Sequence, residues 1–306
     1  MENSCLNSAA SFSGRRLLPA WFRQDLPDPA ALARMRTLLR DTGLRTVCTG
    51  AHCPNLGRCW EKGHATFMIL GETCTRSCRF CAVSNKGPLL PPDENEPAQV
   101  ARAVSQLALR YVVITSVTRD DLPDEGAGHF ARVVEHVRSL CPHVIVEVLI
   151  PDFSARRQCL QVVAESGAHV IGHNIETVRR LSVLVRSRAD HERSLQVLRL
   201  ARDLAPRAVI KSGLMAGMGE TDEEIFSAFD ELKAAGCDML TVGQYLSPGD
   251  IQRHIPVARF VSPDVFEVYR QEGLNKGFRA MTCGPLVRSS YLAEESYRSC
   301  QEGIKA

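Results

Sequence analysis

Between residues 66 and 242 the chain alternates short continuous apolar runs with longer stretches in which apolar residues recur at helical spacing. The runs cover 66–70, 111–116, 144–149, 169–172, 208–212 and 239–242. Continuous hydrophobicity of this length marks strands buried on both faces. The stretches near 97–109, 129–140, 154–166, 191–205 and 221–235 predict helices. Thr221 with Glu224 has the form of a capping box, and Gly236 supplies a stop for the last of them. Strand and helix in alternation predict an α/β protein, a parallel sheet with helices outside, whose ligands gather at the carboxyl ends of the strands. The pattern alone leaves a doubly wound sheet and a barrel both standing.

Outside this region the pattern changes. Residues 1–18 are rich in Ser and Asn with no apolar period and predict a mobile tail. Leu32, Met35, Leu38 and Leu39 share one helical face over 30–40, with Gly43 as a stop. A loop-rich segment follows over 47–63. The expected organisation is a tail at 1–18, an N-terminal extension at 19–63, a catalytic domain at 64–282 and a C-terminal extension at 283–306.

With 306 residues, 44% of them hydrophobic and 24% charged, the chain can bury a substantial core. Its net charge of +2 gives no global electrostatic case for nucleic acid or an anionic membrane. No apolar run nears the roughly 20 residues that span a bilayer. Glu2, Asn3 and Ser4 make a poor start for a signal peptide, and although 8–16 has some look of a transit segment, the expectation is a bacterial cytoplasmic protein.

The chemistry lies in the cysteines. Cys74, Cys78 and Cys81 have the spacing C-x3-C-x2-C, which can hold three irons of a four-iron four-sulfur cube and leave the fourth open. Cys48, Cys53 and Cys59, spaced C-x4-C-x5-C, can hold a second cluster nearby. Phe80, Ala82 and Val83 would shelter the first. A structural zinc site completed by His52 and His64 is the alternative, although zinc usually takes paired C-x2-4-C ligands. A disulfide framework suits short secreted domains instead. Cys5, Cys141, Cys159, Cys237, Cys283 and Cys300 read as buried or incidental thiols. Glu147, inside an apolar strand, needs a partner, either a ligand in the lumen or an ion pair. The glycines of 213–219 lead into no phosphate-loop Lys-Ser or Lys-Thr, and the histidines show no H-E-x-x-H spacing.

The stretch Cys74-Thr-Arg-Ser-Cys78-Arg-Phe-Cys81 resembles the cluster motif of radical S-adenosylmethionine enzymes. Together with the upstream triad, Glu147-Val-Leu-Ile-Pro-Asp-Phe153, His173-Asn-Ile-Glu-Thr-Val178, Lys211-Ser-Gly-Leu-Met215, Gly243-Gln-Tyr245, Pro256-Val-Ala-Arg-Phe260 and Arg288-Ser-Ser-Tyr291, it resembles the lipoyl synthase family over roughly residues 19–293. The resemblance implies a partial (β/α)6 TIM-like barrel with N- and C-terminal extensions carrying an auxiliary iron-sulfur cluster. It implies two 4Fe-4S clusters and S-adenosyl-L-methionine as cofactors. The first cluster and S-adenosylmethionine would generate a 5′-deoxyadenosyl radical, and the auxiliary cluster would be sacrificed as the sulfur source. The reaction implied is insertion of two sulfurs at carbons 6 and 8 of a protein-bound octanoyl-lysine.

The resemblance also assigns roles. Ser290, with Ser289 as its neighbouring alternative, becomes the fourth ligand of the auxiliary cluster, where local reading alone gives a helix cap. The resemblance suggests cofactor contacts for Asn174 and Glu176, where local reading gives a turn Asn and a solvated Glu. From the residues themselves, Arg193 at a helix start could clamp the cofactor carboxylate or be an exposed helix Arg, and Lys211 at a strand end could contact the cofactor or simply snorkel. Implied partners are octanoylated lipoyl carrier domains of 2-oxoacid dehydrogenase acyltransferase subunits, the glycine-cleavage H protein, a ferredoxin or flavodoxin reductant and a cluster-resupply protein, with neither nucleic acid nor membrane. The chain departs from the family at Arg58, His64, His191 and Leu292, where Glu, Thr, Tyr and His are common.

Overall fold

The structure, a computed structural model, describes residues 18–302 apart from 25, 52, 62, 63, 250 and 251. All of the expected tail but Leu18, and also His52, lies outside the described residues.

Helix α1 (Pro29–Thr42) starts where the Asp28 carboxylate accepts from the Ala30 and Ala31 amides, has proline at its first position, and stops at Gly43 with φ 68°. The expected loop-rich segment contains two short helices, α2 (Val47–Gly50) and α3 (Leu56–Glu61). Just before α2 the backbone runs antiparallel beside strand β1 (Thr66–Ile69), Met68 N–H donating to Arg45 C=O at 2.9 Å. The N-terminal extension thereby covers the outer edge of β1.

From there strand and helix alternate. The order is α4 (Glu96–Gln106), β2 (Tyr111–Ser116), α5 (Ala127–Leu140), β3 (Ile145–Leu149), α6 (Arg157–Glu165), β4 (Val170–Gly172), α7 (Arg179–Val185), α8 (His191–Leu204), β5 (Val209–Ala216), α9 (Asp222–Ala234), β6 (Met239–Gln244), α10 (Pro263–Asn275), β7 (Ala280–Gly284) and α11 (Ala293–Glu302). Every strand pairs in parallel with the next in the chain. A doubly wound sheet reverses its strand order partway. This one does not, and among the described residues β1 and β7 do not pair, so the sheet is an open, partial barrel. It has seven strands rather than six. The unpredicted β7 runs across residue 282 and is only half-buried at Met281, Thr282 and Cys283.

Alternate strand residues face opposite sides. One set, including Phe67, Ile114, Val146, Ile171, Ile210 and Leu240, packs under the outer helices. The other set points into the lumen, where Tyr111, Val113, Val170, Val209, Met239 and Ala280 meet Ala293 and Cys300 of α11. Helix α11 therefore plugs the barrel at the amino ends of its strands. A contact of 3.3 Å from Arg110 to Glu294 and a hydroxyl pair of Thr282 with Ser296 at 2.6 Å fix it there.

The lumen also contains a buried ion pair. Lys211 Nζ lies 2.7 and 3.0 Å from the two Glu147 carboxylate oxygens, across the short strand β4, and the Tyr111 hydroxyl donates to the same carboxylate. Glu147 thus has a protein partner. Because β5 runs on to Ala216, Lys211 is a mid-strand residue, fully engaged beneath the site. The ammonium expected at a cofactor is paired with this carboxylate.

Candidate functional site

The first cysteine triad occupies the loop after β1. Leu70 (φ 68°) and Gly71 (φ 93°) turn the chain out of the strand, with Leu70 N–H donating to Glu96 and Arg119 donating to Leu70 C=O. The loop is then fixed from two sides. On one side Arg76, between Cys74 and Cys78, grips two carboxylates: Nε and Nη2 donate to Asp120 at 3.0 and 2.7 Å, and Nη1 and Nη2 donate to Asp152 at 2.9 and 2.7 Å. Asp120 follows β2 and Asp152 follows β3, so one guanidinium ties the loop to two strand ends. On the other side three alternate carbonyls accept from consecutive residues of the β6–α10 connection. Ile255 N–H donates to Arg79 C=O at 3.1 Å, His254 Nε2 to Cys81 C=O at 3.0 Å, and Arg253 Nη2 to Val83 C=O at 2.6 Å.

Burial pushes the Cys81 thiol up to about 12, and the nearby Cys78, Cys74 and Glu176 add to it. Cys78 is raised as well, by burial first. Cys78, Cys81 and Glu176 therefore share one poorly hydrated environment, in which a bound metal would displace the thiol protons. Arg186, 7% exposed, is drawn electrostatically to Glu176 and Cys78 while donating to Ser194 at 2.8 Å.

The second triad lies on α2, the turn after it, and α3. Burial raises the Cys48 and Cys53 thiols; Cys53 also feels Cys48, and the Arg288 guanidinium eases it. Asn55 donates to Leu286 C=O, which ties the segment to the far end of the chain. Cys48, Cys53 and Cys59 line a cavity of about 190 Å³ that opens into the barrel lumen, and Ser289, Ser290, Asn174 and Glu176 line it too. Two glycines make room. A Cβ on Gly243 would stand 2.1 Å from Val287 C=O, and one on Gly213 would stand 2.6 Å from Thr241 Oγ1.

Asn174 Nδ2 donates to Ser289 Oγ at 2.5 Å and to Glu176 Oε1 at 3.1 Å. Ser289 is thus engaged, whereas Ser290 has no side-chain hydrogen bond among the described residues. Burial raises the Glu176 carboxyl, against the pull of Arg186 and the Asn174 bond. Its backbone is left-handed at φ 64°, held by Glu176 N–H to Gly213 C=O and Met215 N–H to Glu176 C=O. Arg193 does not line the cavity; it reaches Asp152 at 3.5 Å and Arg188 C=O at 3.2 Å. Of the departures, His64 lines the cavity, Arg58 is exposed, His191 bonds Glu231 at 2.7 Å, and Leu292 sits at φ 50°.

Sequence reasoning missed Arg76, Arg186, His254 and Arg288. Only Arg76 and Arg288 stood inside a noted motif, and nothing local announced their partners.

Among the described residues no three of His, Cys, Asp and Glu converge as the ligands of a single ion do. A cube asks for one donor per iron, spread around its corners. Three soft thiolates ringing a cavity with a serine beside them fit that demand, as do three coupled thiols on a pinned loop.

The profile of the Radical SAM superfamily matches residues 68–232, just over half of the chain. Among solved structures, methylornithine synthase superposes with a TM-score of 0.57 at 16% identity, over 70% of this chain and 62% of that one. The hydrogenase maturase HydG gives 0.55 at 14%, over 70% and 50%. This chain spans less than two thirds of either, and they share its fold alone. Sequence relatives are closer. The lipoyl synthase of Halorhodospira halophila is 50% identical over 291 residues, 95% of this chain and 86% of that one. That of Pyrobaculum arsenaticum is 49% identical over 92% and 95%. The mitochondrial lipoyl synthase of Oryza sativa subsp. indica is 47% identical over 91% and 74%. With a three-cysteine loop after the first strand of a partial barrel, a second triad lining its cavity and relatives of this identity along nearly its whole length, the chain belongs to the lipoyl synthase family of radical S-adenosylmethionine enzymes.

Proposed function

We propose that the chain inserts two sulfur atoms at carbons 6 and 8 of an octanoyl-lysine on a lipoyl carrier protein, using two 4Fe-4S clusters and S-adenosylmethionine. The observation that carries this reading is the convergence of Cys48, Cys53, Cys59, Ser289 and Ser290 on a cavity that also reaches Glu176, the neighbour of the Cys74 loop. Cys74, Cys78 and Cys81 would hold one cube, which would bind S-adenosylmethionine. Cys48, Cys53 and Cys59 hold the other, with Ser290 as its fourth ligand. When bound, the first cube with S-adenosylmethionine supplies a radical able to take hydrogen from an unactivated carbon, and the second supplies sulfur.

The protein's part is to bind, orient and exclude water. Arg76 and the 253–255 strap fix the first loop, Asn174 and Glu176, lining the cavity from the end of β4, would contact the cofactor, and α11 closes the lumen to solvent from below. Ser289, already bonded to Asn174, is left to position that residue. Ser290 would offer the second cube a hard oxygen donor beside three soft thiolates.

The finer partners in this reading are 2-oxoacid dehydrogenase carrier domains, the glycine-cleavage H protein, a ferredoxin or flavodoxin reductant and a cluster-resupply protein. The location in this reading is cytoplasmic. No described helix is long and apolar enough to cross a membrane, and the plant relatives are mitochondrial. The division at residues 18, 63 and 282 belongs to the same reading. Anaerobically reconstituted protein given S-adenosylmethionine, dithionite and an octanoyl-lysine peptide should yield lipoyl peptide by mass spectrometry. Cleavage of S-adenosylmethionine without sulfur in the peptide would overturn the reading.

A further inference from the structure

Making a radical from S-adenosylmethionine takes one electron from outside the chain. That electron splits the sulfonium carbon-sulfur bond into methionine and the 5′-deoxyadenosyl radical, and a donor is oxidised by one electron as it gives it. The donor must approach the Cys74 loop from a side that solvent reaches.

A groove of about 650 Å³ offers that approach. It lies between the end of α1 and the chain leaving the first cysteine triad, and it shares no lining residue with the lumen cavity. Arg36 and Arg40, one helical turn apart on α1, line it with Arg45, which follows the Gly43 turn. Glu72 is the one carboxylate among its described lining residues. Arg40 pairs with Asp41 at 3.2 Å and Arg45 pairs with Glu72, both in solvent, whereas Arg36 has no ion-pair partner among the described residues. Exposed pairs of this kind contribute little. The groove can therefore offer three guanidiniums to an incoming acidic surface.

Its other wall reaches the cysteines. Ser84 lines the groove, and Ser84 C=O accepts from Cys74 N–H at 2.9 Å. A single hydrogen bond thus joins the groove to the first triad. Thr49, the residue after Cys48, and Trp60, the residue after Cys59, line it as well, so the groove borders the second triad from outside the lumen.

We propose that this groove is the docking site of the electron donor, an acidic iron-sulfur protein of the ferredoxin class. In a ferredoxin of this kind closely spaced cysteines of one loop hold most of the cluster, and a groove of this size takes a loop. Electron-transfer encounters are small and depend on charge for their rate. Three arginines gathered at one groove, in a chain whose net charge is only +2, match that demand. The inference rests on the proposed function and deepens it by placing one of its partners.

The test uses reconstituted full-length protein and a labelled plant-type two-iron ferredoxin. Fluorescence anisotropy measures the affinity at low and high salt. Pre-reduced ferredoxin is then added with S-adenosylmethionine, and 5′-deoxyadenosine is compared with that formed under excess dithionite. The double variant Arg36→Glu, Arg40→Glu should bind ferredoxin about tenfold more weakly at low salt and lose most of the salt dependence. It should form 5′-deoxyadenosine more slowly with limiting ferredoxin and keep the wild-type yield with dithionite. Arg207→Glu, an exposed position before the amino end of β5, should change the affinity by less than about twofold. The inference is overturned if the wild type binds no ferredoxin, if the double variant binds it as the wild type does, or if Arg207→Glu weakens binding equally. A double variant that keeps ferredoxin and loses an acidic octanoylated carrier domain would also overturn it, by giving the groove to the substrate. Failure of the wild type to cleave S-adenosylmethionine with dithionite would instead strike the proposed function itself.

Discussion

Replacing Asp152 with asparagine should lower stability by about 2 kcal/mol at pH 7. Burial alone would push the Asp152 carboxyl up, but the hydrogen bonds and charge of Arg76 override it and hold it at about 2, against an ordinary 3.8. That gap corresponds to about 2 kcal/mol favouring the folded state. For 306 residues the loss is a drop of roughly 4 °C in Tm. Because the folded pKa is depressed, the contribution is fully present above the unfolded value and disappears as pH falls through the folded one. The difference between wild type and Asp152→Asn should be constant above about pH 5 and roughly halved near pH 3. Calorimetry of the iron-free chain at neutral pH, with denaturant titrations at lower pH, measures both. A Tm equal to wild type at pH 7, or a deficit that does not shrink below pH 4, would refute the idea that the Arg76 clamp stores this energy. Since Arg76 lies between two cysteines of the cluster loop, the variant should also take up iron more slowly at that triad.

Lys211→Met leaves the buried Glu147 carboxylate without its counter-charge, bonded to the Tyr111 hydroxyl, and should cost about 3–5 kcal/mol, whereas the double variant Glu147→Leu, Lys211→Met should recover most of that loss in denaturant titrations. Replacing Cys74, Cys78 and Cys81 together with alanine should lower iron from roughly eight to roughly four per chain and abolish 5′-deoxyadenosine. Cys53→Ala should preserve that product and lose sulfur insertion, and the reverse pattern would exchange the two triads' roles. Ser290→Ala should impair sulfur insertion while leaving S-adenosylmethionine cleavage intact. If Ser289→Ala alone does so, the ligand is the serine that now bonds Asn174.

Much of this site was legible because cysteine spacing and buried parallel strands write themselves into consecutive residues. The six continuous apolar runs each became a strand, and the capping box at Thr221 formed as the sequence requires. Strand β7 escaped because an edge of the open sheet is half-buried, so its run is short and mixed in polarity. Helix α10 did carry a signal, Ser262-Pro-Asp264 followed by Phe266, Tyr269 and Gly273 on its buried face. The apolar run at 208–212 alone places Lys211 at a strand end. The extra residues to Ala216 moved it from the rim of the barrel to the middle, within reach of a carboxylate 64 positions away. Arg76 shows the general limit. Its partners lie 44 and 76 positions along the chain, and only the folded sheet brings them together.

The tether from Asn55 to Leu286 joins residues 231 positions apart, and this gives the auxiliary site a history. A ribosome adding roughly 5–20 residues per second makes the upstream cysteines some tens of seconds before the serines that line the same cavity. Until α10, β7 and the segment after them have emerged, the first thiols have no wall opposite them. Metal arriving in that interval would meet an incomplete cage, open to water and to oxidation. If the proposed cube needs both walls, its loading would come after synthesis of the barrel, an order written into the positions of its residues.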